Sequence, residues 1–161
     1  MTGSAVLSDC QRYRYRLERI WDPQKPKILW IGMNPSTADA QYNDPTCTRE
    51  INFSKDWGFG HYLKSNILDY RATFPKDLPD DPNQAASQTG RQHLLEMAQS
   101  ADLVIAAWGK LPAKLANQGT IVAQLLNTHH IPLKCMGRNK DGSPKHPLYL
   151  PKTQKPQDFI L

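Results

Sequence analysis

The stretch ILWIGMNPSTADA, residues 28–40, decides how this chain is read. Ile28 to Ile31 form an unbroken apolar run. Such runs, bounded by turn residues, belong to strands covered on both faces, the usual state of parallel strands. Gly32 ends the run, and a residue without Cβ lets another group come close to the backbone. Asn34-Pro35 follows, a pair suited to a turn because Pro fixes φ and Asn tolerates unusual angles. Ser36 to Asp39 carries residue types that cap helices. The expectation is a central strand, a ligand-accessible turn at its carboxyl end, and a helix starting between Ser36 and Asp39.

Upstream, RYRYRLERIWD (12–22) alternates, with Tyr13, Tyr15 and Leu17 on one face and Arg12, Arg14 and Arg16 on the other, which predicts a half-buried strand. DPQKP reads as a turn, so this strand and KILWIGM are expected to form a hairpin. Downstream, DPTCTREINFSKDWGFG predicts a helix with Pro45 in its first turn and Gly58 and Gly60 at its end. HYLKSNILDY is the next strand, followed by a Pro- and Asp-rich loop. AASQTGRQHLLEMAQSA predicts a helix despite Gly90, DLVIAAWG a third buried strand, KLANQGTIVAQLLNTHH a helix and PLKCMG a short last strand. Strands alternating with helices predict a three-layer α/β/α sandwich around a mostly parallel sheet, as one domain over residues 1–161.

Composition narrows the classes. No apolar run approaches the ~20 residues of a membrane span, and no signal-peptide core is evident, so a cytoplasmic protein without a membrane partner is expected. Cys10, Cys47 and Cys135 are few and far apart, which indicates neither a disulfide framework nor a CxxC metal site. The 20 Lys and Arg outnumber the 15 Asp and Glu. The excess gathers at Lys134, Arg138, Lys140, Lys145, Lys152 and Lys155, against Asp141 alone, a pattern that suits either phosphate contacts or a solvated tail.

In a parallel sheet, ligands bind beyond the carboxyl ends of the strands. The strands here deliver Gly32, Asn34 and Pro35, then Asn66 with Asp69 and Arg71, then Trp108 and Gly109, and finally His146-Pro147. Singly, each is ordinary: Asn-Pro is a turn device and His-Pro a common loop pair. Together they place polar groups, in a fixed order, on one rim.

LWIGMNPS resembles the first motif of the uracil-DNA glycosylase superfamily, a strand followed by Gly-x-Asn-Pro, as in its single-strand-selective and mismatch-specific branches. SNILDYRATFP is similar to a segment of the thermophilic branch whose Asn reads the base. LVIAAWGKLPAK resembles a later strand-Gly-x-x-Ala element, and KHPLYLP the final His-Pro motif. The likeness spans roughly residues 26–151. RYRY…RIWD, MNPSTADA, NDPTC and YRAT are also similar to an uncharacterised family of bacterial and phage proteins.

The resemblance implies a monofunctional DNA glycosylase that hydrolyses the N-glycosidic bond of a uracil-like, damaged or modified base flipped out of DNA. It implies Asn34 and His146 as the catalytic pair, with Asn34 holding the attacking water and His146 donating to a base carbonyl. Gly32, Met33, Pro35, Ser36, Asn66, Arg71 and Gly109 would surround the substrate. Lys140, Lys145, Pro147, Leu148, Tyr149 and Lys152 would meet DNA, with Leu148, Tyr149 or Leu150 as a wedge. Asp39 and Asp44 are the alternatives for activating water, and Tyr42 and Phe53 are candidates for stacking on the base. The thermophilic branch's cluster cysteines have no counterparts, so no metal, cluster or other cofactor is expected. The partner would be single- or double-stranded DNA and the protein a monomer, with base repair or phage defence as its setting. Ser36 stands where glycine usually follows Asn-Pro, and His-Pro-Leu-Tyr where His-Pro-Ser-Pro is usual. Those departures motivate the alternative of a binding module that does not cleave.

Overall fold

In the computed structural model, which describes residues 1–161, one mixed sheet takes strands from nearly the whole chain. They are β1 (Thr2–Leu7), β2 (Arg14–Ile20), β3 (Lys27–Gly32), β4 (His61–Asn66), β5 (Leu103–Ala106), β6 (Lys134–Cys135) and β7 (Gln157–Asp158). Their order is β1-β2-β4-β3-β5-β6-β7. The central four, β4, β3, β5 and β6, are parallel, and the flanking strands are antiparallel to their neighbours. Helices α1 (Pro45–Asp56), α2 (Pro82–Ala85), α3 (Gln88–Ser100) and α4 (Asn117–Thr128) lie in the connections.

The run at 28–31 behaves as its composition requires. Ile28, Leu29, Trp30 and Ile31 are all fully buried. Successive side chains point to opposite faces. Leu29 and Ile31 join an apolar cluster containing Leu94 and Met97 of α3 and Val122 and Leu126 of α4. Ile28 and Trp30 join a second cluster with Cys47, Ile51 and Phe53 of α1. The Trp30 indole donates to Ser54 Oγ at 2.9 Å, so this large ring is buried without an orphaned N–H.

Three expectations are corrected. β2 and β3 form no hairpin: β4 lies between them, and β2 pairs with β1 and β4. The Asp-Pro turn marks a change of direction, but pairing is set by which strand fills the neighbouring place. Nor does a helix begin at Ser36–Asp39. Asp39 Oδ1 instead accepts the Gln41 and Tyr42 backbone N–H groups in a tight turn, and α1 begins at Pro45 with Asp44 as its cap, accepting from Cys47 N–H at 2.8 Å. The strand expected over HYLKSNILDY ends at Asn66.

The alternation in β2 also breaks. Val6 lies opposite Arg16 and Leu7 opposite Arg14, a register shift that leaves Tyr15 as the extra residue. A bulge of this kind reverses the side-chain alternation. Tyr15 therefore stacks on His93 of α3, while Arg14 is buried, at 2% exposure, near Cys47 and Tyr62.

Gly90 inside α3 has a specific cause. A Cβ there would collide with the Asp69 carboxylate, which is itself anchored by the backbone N–H and hydroxyl of Ser87, the helix cap. Gly90→Ala is expected to lower stability by about 1–3 kcal/mol, although alanine is the better helix former, because the collision outweighs the gain in propensity. Urea denaturation midpoints would measure this, and an unchanged or higher midpoint would contradict it.

Candidate active site

β3 and β4 run in parallel register, with Gly32 opposite Asn66, so their carboxyl ends reach the same rim. The chain then stays tied across the gap, with the Ile67 and Leu68 N–H groups donating to the carbonyls of Gly32 and Met33. At this rim lies a pocket of about 370 Å³. Its lining includes Gly32, Met33, Asn34, Ser36, Asn66, His146 and Leu148, all singled out by sequence. A larger cavity of about 720 Å³, lined by Trp108, Gly109, Arg138 and Phe159 among others, contains none of Asn34, Asn66 or His146. Chemistry rather than volume marks the smaller one.

The other predicted substrate residues stand around this pocket without lining it. Pro35 is buried behind it, its carbonyl accepting the Ala72 N–H. Gly109 backs the histidine: at φ +66° it is in the left-handed region, and a Cβ there would lie 3.5 Å from the His146 Cβ. Arg71 turns away and donates to the Gln11 carbonyl. Of the two carboxylates, Asp44 lines the pocket and Asp39 does not. Tyr42 is exposed elsewhere, and Phe53 is core, packed against Trp30 and Trp57. No Phe, Tyr or Trp is among the lining residues.

The pocket's polar groups have defined orientations. Asn34 Nδ2 donates to the Ala72 carbonyl at 2.8 Å and to the Pro35 carbonyl at 3.1 Å, which leaves Oδ1 as its free acceptor. Asn66 is 6% exposed, and its Nδ2 is buried without a partner. Such a group costs about 1–3 kcal/mol until something accepts from it.

His146 Nδ1 accepts the Leu148 N–H at 3.2 Å, which puts the ring proton on Nε2. His146 is exposed at the mouth of the pocket; partial desolvation of its ring, and then the charge of Lys64, lower its pKa to about 4, with Asp44 opposing. His146 is thus a neutral donor at pH 7. The unfolded chain protonates this histidine near 6.5 and the fold resists it until about 4. As pH falls through that window the unfolded state binds more protons, so stability must fall. His146→Asn is expected to remove this component, making the urea midpoint of wild type drop more than the variant's between pH 7 and pH 4. Parallel profiles would contradict it.

Sequence reading missed several lining residues. Lys64 precedes Asn66 by two places on β4 and shares its face. Its Nζ donates to Glu50 Oε1 at 2.8 Å and Oε2 at 3.0 Å, and the Tyr62 hydroxyl donates to the same Oε1 at 2.7 Å. Burial drives the Glu50 pKa upward, and Lys64 and Tyr62 oppose it. The donors on both of its oxygens favour the carboxylate form, and with it an ion pair to Lys64. Arg14 also lines the pocket, donating to the Ala38 carbonyl at 2.9 Å and keeping a buried Nε with no partner. Cys47 is pushed up to about 11, chiefly by burial, so it stays a thiol and not a nucleophile. The available signals were a lysine inside the predicted strand HYLKSNILDY and an acid at the buried stripe of α1, which runs through Cys47, Glu50, Ile51 and Ser54.

The basic segment divides in two. Lys134 pairs with Asp158, and Arg138 is tied to the Gly142 and Ile160 carbonyls. Lys140, Lys145 and Lys152 make no ion pair. Pro147 is buried, Leu148 reaches the pocket, and the Leu150 carbonyl accepts from Arg49 of α1, while Tyr149 between them is 93% exposed. No helix is long and apolar enough to cross a membrane.

Comparison with known proteins gives one family. The profile described as "Protein of unknown function (DUF1643)" matches residues 14–148, which takes in every pocket residue named above. Neither the curated proteins nor the solved structures yield a match.

Proposed function

We propose a function for this chain, which belongs to the DUF1643 family, from the contents of its pocket. It is a DNA glycosylase that hydrolyses the N-glycosidic bond of a uracil-like, damaged or modified base flipped out of DNA. One observation carries the reading. A free acceptor on Asn34, an orphaned donor on Asn66 and a neutral donor on His146 share one pocket at the carboxyl ends of parallel strands.

Those groups suit the reaction. Breaking the bond makes the sugar oxocarbenium-like and leaves negative charge on the base. Asn34 Oδ1 holds the attacking water, Asn66 reads the edge of the flipped base, and His146 Nε2–H donates to a base carbonyl as charge builds there. Asp44 is the one carboxylate among the lining residues, and its Oδ2, left free by the helix cap, takes the water's proton. Lys140, Lys145 and Lys152 contact phosphates. Exposure selects Tyr149 as the wedge into the stack. The finer architecture, a three-layer sandwich like that of the uracil-DNA glycosylase superfamily, is supported by helix-bearing clusters on opposite sheet faces.

A second reading, a binding module without cleavage, draws on Ser36, whose side chain borders the pocket where the superfamily motif has glycine. Single-turnover incubation with oligonucleotides carrying uracil or a modified pyrimidine, single- and double-stranded, separates the two. Alkali-labile abasic sites support the glycosylase. Salt-dependent DNA binding without abasic sites supports the binding module.

A further inference from the structure

The pocket is lined by a buried lysine, Lys64, held by Glu50 beside the base-reading Asn66. Lys64 is 4% exposed, and two of its three N–H groups bond the two oxygens of Glu50. The third has no protein acceptor. Gly32 leaves the space in front of it: a Cβ there would lie 2.6 Å from Lys64 Nζ and 2.8 Å from Asn66 Oδ1. The ammonium and the base-reading amide therefore both lie over the bare Gly32 backbone, side by side in the pocket lining. Burying a lysine is costly unless it is paired. This one is paired with both oxygens of Glu50, yet one donor is left toward the pocket.

We infer that Lys64 is a leaving-group cation, which holds the negative charge that collects on the base as its bond to the sugar breaks. The inference rests on the glycosylase reading. The C1′–N1 bond breaks with its electron pair going to N1 and, by resonance, to the carbonyl oxygens of the base. Water adds to C1′ and releases a proton, and the base takes up a proton at N1. A charged donor beside a carbonyl oxygen is worth more in the charged transition state than in the neutral ground state. Glu50 is a positioning residue: its two oxygens hold Nζ in place and aim its remaining N–H at the pocket.

The test uses Lys64→Met combined with Glu50→Leu, so that neither partner is left as a lone buried charge. Release is measured from uracil and from 5-fluorouracil, the more acidic leaving group, in one oligonucleotide sequence. In parallel, binding of free 5-fluorouracil is followed as pH carries it from neutral to anionic. Wild type should bind the anion more tightly than the neutral base, and the double variant should not. The variant should lose about 100-fold on uracil and clearly less on 5-fluorouracil. Equal losses on both bases, or anion preference kept in the variant, would overturn the inference while leaving the glycosylase standing. Anion preference in a wild type that releases no base from any DNA would support the cation site and remove the glycosylase. A borohydride-trapped protein–DNA adduct, abolished with Lys64, would overturn the inference by making the amine a nucleophile.

Discussion

Asn34→Ala is expected to remain folded and to release base about 100- to 1,000-fold more slowly than wild type, the loss typical of removing one positioned polar group from a catalytic site. The side chain does two separable things. Its Nδ2 ties the Asn-Pro turn to the Ala72 carbonyl at 2.8 Å, a neutral hydrogen bond worth about 1 kcal/mol. Its Oδ1, left free by that bond, holds the attacking water in the proposed reaction. Loss of the first is a small change in urea midpoint. Loss of the second appears only in the chemical step, so DNA affinity stays near wild type while the single-turnover rate falls. A variant with normal release would remove Asn34 from the reaction. One that fails to bind DNA would make it a structural residue of the turn.

Glu50→Ala carries the largest expected effect on stability. It strands the Lys64 ammonium, 4% exposed, without its carboxylate. Breaking a buried pair from one side costs about 3–5 kcal/mol, because the remaining charge has lost both water and partner. Replacing both residues by apolar ones of similar volume is often near neutral. Glu50→Ala should thus unfold at markedly lower urea, whereas Glu50→Leu with Lys64→Met should recover most of the midpoint. Additive losses in the double variant would show that packing at these positions, and not the charge pair, sets their stability. Tyr62 adds a check: its hydroxyl donates to Glu50 Oε1 at 2.7 Å, so Tyr62→Phe should destabilise by less than Glu50→Ala.

The parts of the fold that could be read from sequence were those with strong local signals. β3 and β5 are continuous apolar runs between turn residues, α1 has Pro45 in its first turn and Gly58 and Gly60 past its end, and α3 and α4 lie within segments read as helical. Pairing was not legible, because it is non-local. Nothing in DPQKP says that β4 will lie between β2 and β3, and β7 returns from 157–158 to pair with β6. The site divides the same way. Asn34 follows β3 and Asn66 ends β4, so the parallel pairing of those strands brings the two to one rim, and the segment after β6 carries His146 to it. Arg14 was hidden by the bulge at Tyr15, which reverses the alternation that made it look solvated. Lys64 was hidden because its meaning depends on Glu50, fourteen residues earlier and on a helix. Asp44 and Asp39 looked equivalent until the helix start at Pro45 put one at the pocket and the other in a turn.

In the proposed function, this pocket cuts a base from its sugar. The most direct measurement identifies the small molecules liberated from an oligonucleotide panel, by mass spectrometry, with abasic sites counted in the same samples. The panel pairs single and double strands bearing uracil, 5-hydroxymethyluracil, hypoxanthine, 5-hydroxymethylcytosine and its glucosylated form. The account predicts one free base, matched mole for mole by abasic sites and lost in Asn34→Ala and His146→Ala. Bound DNA with no base liberated from any member of the panel, or equal release by wild type and both variants, would contradict it.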